Sequence, residues 1–161
     1  MGDVRIRPAT LLPPPLVYAV GLGAAWWLER RFPWGWQPPR GANLLAWGVL
    51  EVSVLLMLWA AATIWHHRST VNPYRGASSL VTGGPFAFSR NPIYLADALA
   101  YAAVTLLMGS AWPLCLAPLV WATMRYGVIA HEEAHLHARF GAQYQDYCAR
   151  VNRWFGRRGS Y

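Results

Sequence analysis

The sequence is poor in charged residues, and this scarcity excludes most soluble folds. Only 13% of its 161 residues are charged, whereas 55% are hydrophobic. Soluble domains carry roughly 25% charged residues. Too little polar surface is left to cover a soluble globule of this length, which is that of one domain. The composition therefore predicts a membrane protein.

Lysine is absent and cysteine is scarce. All fourteen basic residues are Arg, and they lie between apolar runs without forming a basic stripe, so the net charge of +7 does not predict a nucleic-acid partner. The two cysteines, Cys115 and Cys148, fit neither a disulfide framework nor a metal-binding pattern. The first apolar run lacks an A-x-A-like cleavage site, so we do not expect a cleavable signal peptide.

Long apolar runs dominate the sequence. A membrane-spanning helix needs about 20 mostly apolar residues. Four segments reach or approach that length, and they are residues 11–28, 42–65, 93–108 and 111–130. Gly109 and Ser110 alone separate the last two, which predicts a tight helical hairpin. We expect an all-α, polytopic helical bundle with four transmembrane helices, followed by cytosolic C-terminal helices.

The distribution of arginine predicts the orientation of these spans. Arginines in short flanking segments favour the cytosolic side. Three lie between the first two spans, namely Arg30, Arg31 and Arg40. Ten lie on the other side, namely Arg5, Arg7, Arg68, Arg75, Arg90, Arg139, Arg150, Arg153, Arg157 and Arg158. The pattern predicts a multi-pass protein with both termini in the cytosol, and we expect its membrane to be a bacterial inner membrane.

Three ionisable residues fall inside the predicted spans: Glu51, Asp97 and Arg125. Such residues are costly in lipid and normally face a partner or a wet cavity. Arg125 either forms an interhelical ion pair with one of the carboxylates or lies beside a substrate anion or a cofactor carboxylate.

The segment before the third span is rich in Gly, Pro and aromatic residues. Pro92 suits the first turn of a helix, and Asn91 before it is a candidate N-cap. The helix start does not account for Phe86, Phe88 and Tyr94, for which we expect exposed positions.

The C-terminal tail carries an apolar stripe at helical spacing. It consists of Leu136, Phe140, Tyr144, Tyr147 and Val151. Gly141 is placed where a helix would end, so two helices are expected. The stripe fits either a helix on the membrane surface or a lid over a site at the bundle mouth.

Two adjacent carboxylates, Glu132 and Glu133, follow the fourth span. They oppose the dipole at a helix C-terminus, so a cation, hydroxyl donors or Arg side chains must compensate them. His131 and His135 share a helix face and literally match H-E-x-x-H. A zinc hydrolase is a minor alternative, because no third ligand can be placed.

These pieces together resemble the isoprenylcysteine carboxyl methyltransferase and phospholipid methyltransferase superfamily. The matching segments are residues 80–86, residues 90–94, Glu132-Glu133, Phe140-Gly141, Tyr144, Tyr147, Val151 and Arg153. The resemblance covers about residues 71–155. It implies an N-terminal hairpin over residues 1–66 and a catalytic core over residues 67–161 that binds S-adenosylmethionine (SAM).

The resemblance also implies a set of cofactor contacts. They are Ser78, Ser79, Leu80, Val81, Phe86, Asn91, Pro92, Ile93, Tyr94, Glu132 and Glu133, with no metal. It favours the lid interpretation of the tail. A carboxylate such as Glu132 can accept hydrogen bonds from both ribose hydroxyls.

The expected reaction is methyl transfer from SAM to a lipophilic or small amphipathic acceptor at the bilayer. Arg125 and Tyr94 are the candidate catalytic residues. Val128 stands where the isoprenylcysteine enzymes have a substrate-binding Arg, which weighs against a prenylcysteine carboxylate. A carboxylate or thiolate needs no base, whereas an amine must lose a proton and the sequence shows no evident base. The alternatives are a phospholipid N-methyltransferase, a small-thiol S-methyltransferase, and a non-catalytic membrane protein that retains the fold.

Overall fold

A computed structural model describes residues 13–34, 36–67 and 79–157, and these residues form helices without any β-strand. The all-α prediction is confirmed for this part of the chain. The elements are α1 (Pro14–Arg31), α2 (Ala42–His66), a 3₁₀-helix (Gly84–Ala87), α3 (Pro92–Met108), α4 (Trp112–Ala122), a π-helix (Thr123–Ile129), α5 (Ala130–Phe140) and α6 (Ala142–Arg150).

Prolines mark the starts of three helices. Proline occupies the first turn of α1, of α3 at Pro92 and of α4 at Pro113. The missing N–H costs nothing there, because the first four amides of a helix have no partner within it. The starts were therefore readable from the sequence.

The fourth helix extends well past its predicted end at Ala130. α4, the π-helix and α5 form one continuous helix of 29 residues, Trp112–Phe140. No proline lies between Pro118 and Phe140, so only Gly141, with a φ of 50°, ends it. The predicted break at Gly141 is confirmed, and Glu132 and Glu133 lie inside the helix and not below it.

Two close contacts hold the bundle together. α2 packs along α3, and α1 packs against α4. A Cβ on Gly21 would lie 2.6 Å from Val120 Cγ2, so α1 and α4 approach closely only because residue 21 is glycine. The main core cluster comprises Val17, Tyr94, Tyr101, Val120, Met124, Val128 and Ile129.

The outer surface of α2 is mainly apolar. Leu44 is 81% exposed and Trp65 is 83% exposed, and only 17% of the most apolar stretch of the helix is buried. A soluble core helix would bury these side chains. By length and composition, α2 and the helix Trp112–Phe140 can each cross a membrane, while α3 is apolar but shorter. The described residues thus contain two candidate spans, against the four that were predicted.

The α1–α2 connection and the α3–α4 connection lie at the same end of the bundle. Ser110 Oγ donates a hydrogen bond of 2.6 Å to Glu29, and Trp112 Nε1 donates one of 2.9 Å to the Phe32 carbonyl. Gly109, at a φ of 59°, makes the tight turn that the sequence predicted. The start of α1, the end of α2, the start of α3 and α5 therefore meet at the opposite end.

Candidate functional site

A cavity of about 360 Å³ lies where these four helix ends meet. This volume falls in the range of small-molecule sites. Most of its lining is apolar. It is formed by Pro13, Pro14, Pro15, Met57, Ile64, Phe86, Arg90, Asn91, Pro92, Ile93, Tyr94, Asp97 and Glu132.

Glycine lets the 3₁₀-helix reach the wall of this cavity. Gly84 has a φ of 58°, and a Cβ there would lie 2.8 Å from Thr63 Oγ1 in α2. Both the left-handed backbone and the close approach require glycine. The turn consequently packs against the end of α2 and brings Phe86 to the cavity.

The tail holds the segment before α3 in place. The Arg90 amide donates to the Asn152 carbonyl at 3.0 Å, and Asn91 Nδ2 donates to the Arg153 carbonyl at 3.2 Å. Asn91 occupies the predicted N-cap position of α3, but its side chain makes no capping hydrogen bond because it is committed to the tail. Ser89 Oγ instead accepts the Asn91 amide at 3.1 Å.

The predicted apolar stripe of the tail covers the same segment. Tyr144, Tyr147 and Val151 are buried together with Leu80, Phe86, Leu136 and Phe140 around them. The Tyr147 hydroxyl donates to the Phe86 carbonyl at 2.7 Å, and burial raises the pKa of Tyr147, which keeps that donor protonated. The tail thus packs on the cavity wall, as the lid interpretation requires.

Tyr94 and Glu132 join α3 to α5 at the cavity. The Tyr94 hydroxyl donates a hydrogen bond of 2.5 Å to Glu132 Oε2. The expected exposure of Tyr94 is wrong, since only 7% of the residue is exposed. The π-helix immediately precedes α5, and such segments occur often at functional sites.

Glu133 faces away from Tyr94 and pairs with arginines. Arg153 donates two hydrogen bonds to its carboxylate, at 2.8 and 2.6 Å, and Arg90 Nη1 lies 3.4 Å away. The hydrogen bonds to Glu133 raise the pKa of Arg153. The adjacent carboxylates are therefore compensated differently, Glu132 by a hydroxyl and Glu133 by guanidinium groups.

Two charged groups at the cavity were not among the predicted contacts. Asp97 lies one turn after Tyr94, and its Oδ2 is buried without a hydrogen-bond partner. Arg90 Nε is also buried without a partner. Arg90 stood in the recognised motif and could have been assigned, whereas the position of Asp97 requires knowledge of the packing.

The remaining predicted contacts lie elsewhere. Ser78 is outside the described residues. Ser79 Oγ donates to the His67 carbonyl at 3.2 Å, Leu80 packs against the tail cluster, and Val81 is buried. Neither Leu80 nor Val81 lines the cavity.

Arg125 does not line the cavity. Its guanidinium lies 5.4 Å from the centre of the Tyr126 ring. Within the described ranges, the ion pairs are those of Glu133, so Arg125 is paired with neither Asp97 nor Glu51, and Glu51 is exposed. In the same ranges no three His, Cys, Asp or Glu side chains are grouped so that they could hold a metal ion.

The sequence matches the model of a known protein family. The model of the phospholipid methyltransferase family matches residues 42–143, which is more than half of the chain. The chain belongs to the phospholipid methyltransferase family. The match begins with α2 and ends just after Gly141, so it includes both Tyr94 and Glu132. It confirms the resemblance on which the sequence interpretation was based.

Membership in the phospholipid methyltransferase family supports methyltransferase activity and a membrane location. Comparison with curated proteins and with solved structures gives no significant match.

Proposed function

We propose that this protein is an integral-membrane enzyme that transfers a methyl group from SAM to a lipophilic or small amphipathic acceptor. The observation that supports it most is the cavity beside the Tyr94–Glu132 hydrogen bond, inside the segment that matches the family. When bound, SAM supplies a methyl group activated by its sulfonium charge.

The residues around the cavity fit this cofactor chemically. Glu132 offers carboxylate oxygens to the ribose hydroxyls. The rings of Phe86 and Tyr94 suit adenine and the sulfonium cation, since cation–π attraction grows when a site is dry. Arg90 Nε, which is buried without a partner, is a donor suited to the cofactor's carboxylate.

The protein contributes alignment and exclusion of water. The apolar walls from α1, α2 and α3 keep water from the reacting groups. Holding cofactor and acceptor in one orientation converts a bimolecular reaction into an effectively unimolecular one. Tyr94 fixes the carboxylate of Glu132 for this purpose.

We further propose four spans, with α1 and α3 crossing the bilayer beside the two longer helices, and with both termini in the cytosol. The arginine-rich segments then lie on the side of the cavity. Cytosolic SAM reaches the site from that side, and an amphipathic acceptor reaches it from the bilayer.

SAM binding measured by calorimetry in detergent tests the proposal. We expect the purified protein to bind SAM, and Glu132→Ala to weaken binding about 10- to 100-fold, since hydrogen bonds to charged groups contribute about 1.5–3 kcal/mol. Tyr94→Ala should also weaken it. Glu51→Ala, which removes an exposed carboxylate of α2, is the matched control and should not.

A wild-type protein that binds no SAM would favour the non-catalytic alternative. Unchanged affinity in both Glu132→Ala and Tyr94→Ala would remove these residues from the site.

A further inference from the structure

Asp97 is a carboxylate in a mainly apolar cavity, and the cofactor contacts do not use it. It lies on α3 three residues after Tyr94, which places it about 4.5 Å further along the helix axis, away from the cavity mouth. Its Oδ2 is buried and has no hydrogen-bond partner. A buried polar atom of this kind costs free energy unless a ligand satisfies it.

The charges that line the cavity favour a cationic acceptor. The lining contains two carboxylates, Asp97 and Glu132, and one arginine, Arg90. Arg90 Nη1 is already 3.4 Å from Glu133 and 2.6 Å from Cys148 Sγ. Arg125 does not reach the cavity. The Nε of Arg90 is the donor proposed above for the cofactor's carboxylate. Among the described residues, a carboxylate or thiolate acceptor would therefore meet Asp97 with no further cation of the protein beside it, whereas an ammonium group would meet a partner.

We propose that Asp97 binds the ammonium group of the methyl acceptor and removes its proton. This inference rests on the proposed function, since it assigns the acceptor side of the same site. Among the described residues, the titratable groups that interact electrostatically with Asp97 are the hydroxyls of Tyr18 and Tyr94. Neither hydroxyl brings a positive charge, so these residues leave the carboxylate of Asp97 open to an ammonium group of the acceptor.

The proton transfer balances the reaction. The ammonium loses one proton to the Asp97 carboxylate, which becomes a carboxylic acid, and the nitrogen regains its lone pair. The neutral amine then forms a C–N bond with the methyl carbon as the C–S bond breaks and its electrons leave on sulfur as a thioether. The product is a methylated ammonium, and Asp97 later releases its proton to water. The base that an amine acceptor requires is thus present, although the sequence did not reveal it.

The ligand chemistry is that of a primary ammonium, which occurs both in a lipid headgroup and in a free amine. Two arms distinguish these sources. One supplies phosphatidylethanolamine in phosphatidylcholine vesicles that contain the protein, and the other supplies soluble ethanolamine to protein in phosphatidylcholine vesicles alone.

The first measurement needs no cofactor. Three proteins are compared: the wild type, Asp97→Asn and Glu51→Gln. Each is released from detergent micelles that contain equal amounts of phosphatidylethanolamine and phosphatidylcholine, or added ethanolamine. Native mass spectrometry then counts the lipid or ethanolamine molecules that each protein retains. We expect Asp97→Asn to lose at least tenfold in retention of the primary amine. Glu51→Gln, which changes a carboxylate outside the cavity, should retain it as the wild type does.

The second measurement follows labelled methyl groups in the two vesicle arms. Asp97→Asn should transfer methyl to nitrogen at least about 100-fold more slowly, as expected for loss of a general base. Asp97→Glu should restore part of the rate. SAM affinity of Asp97→Asn, measured by calorimetry, should stay within about threefold of the wild type, which also shows that the variant is folded.

The outcomes separate the two proposals. Absence of SAM binding in the wild type overturns the proposed function. If the wild type binds SAM but methylates a carboxylate or a thiol, or if Asp97→Asn retains and methylates amines as the wild type does, only the role of Asp97 is overturned.

Discussion

The neighbouring side chains of Glu132 and Glu133 have different partners, because successive residues of a helix point about 100° apart. Glu132 turns toward Tyr94 and the cavity, whereas Glu133 turns toward Arg153 and Arg90. Two like charges side by side would otherwise repel each other. Their separate partners allow one carboxylate to remain available to a ligand while the other fastens the tail.

We predict that Glu133→Gln destabilises the protein with little direct effect on the chemistry. The substitution leaves Arg153 and the mostly buried Arg90 without a counter-ion, and should lower the free energy of unfolding by about 1–3 kcal/mol. Thermal unfolding in detergent measures this change. Asp146→Asn, on the exposed side of α6, is the control and should unfold as the wild type does. Equal stability of all three proteins would show that the tail is held by its apolar contacts alone.

At the scale of single residues, motif recognition located residues at one cavity where they are close in sequence, while their role as cofactor contacts stays a prediction. Asn91, Pro92, Ile93 and Tyr94 follow each other, and the structure places all four at the cavity. It failed where position depends on packing between distant segments. Asp97 was seen only as an intramembrane charge, and the side chain of Asn91 was assigned to its own helix because its partner lies 62 residues away.

The π-helix is the element that sets the direction of Glu132. A π-bulge carries one residue more than the α-helical pattern, so everything after it is rotated by about 100° relative to an uninterrupted α-helix. The segment Thr123–Ile129 lies between the core contacts of α4 and the start of α5. Val120 and Glu132 can therefore both face the bundle although an unbroken α-helix would not align them.

Deletion of Gly127 is predicted to convert the π-segment into α-helix and turn Glu132 away from Tyr94. We expect a loss of SAM affinity at least as large as that of Glu132→Ala, measured by calorimetry. Size-exclusion chromatography of the detergent-solubilised variant checks that it stays folded and monodisperse. A deletion variant that is folded and binds SAM normally would show that the register of this helix does not position the site.

Helix starts were predictable and one helix boundary was misplaced, for a local physical reason. Proline restricts φ and lacks an N–H, so it marks a first turn strongly. The boundary predicted at Ala130 has no such signal, because the polar sequence after it is compatible with helix, and the helix continues to the glycine at 141. The polarity of that sequence was taken as the end of the span, but polarity marks the membrane boundary and not the boundary of the helix.

For the whole molecule, the surface and the arginines predict an arrangement across the bilayer. The exposed face of α2 is mainly apolar although it includes Glu51, and the connections at Pro38 and Gly109 approach each other at the end opposite the cavity. The cavity also draws on Pro13–Pro15, Met57 and Ile64, so the division at residue 66 does not separate a scaffold from a site. The sequence interpretation assigned the site to residues 67–161, because the motifs lie there. The cavity walls that α1 and α2 supply carry no motif, so the sequence could not assign them.

Single cysteines introduced into a Cys115→Ala, Cys148→Ala background test this arrangement. Gln37→Cys lies in the connection between α1 and α2, and Asp146→Cys lies on α6, and both positions are exposed. We expect a membrane-impermeant maleimide to label only Gln37→Cys in intact cells and only Asp146→Cys in inverted vesicles. Labelling of both from one side would contradict the four-span topology.

The contacts of Arg153 have a consequence for biosynthesis. The loop before α3 and the carboxylate of Glu133 are both anchored by residues 152 and 153, which follow all the described apolar helices in the chain. Because a chain is synthesised from its N-terminus, those helices are made before the residues that close this end of the bundle. The nascent chain can therefore assemble its helices with the cavity still open, and becomes competent to capture a ligand only once residue 153 has been made.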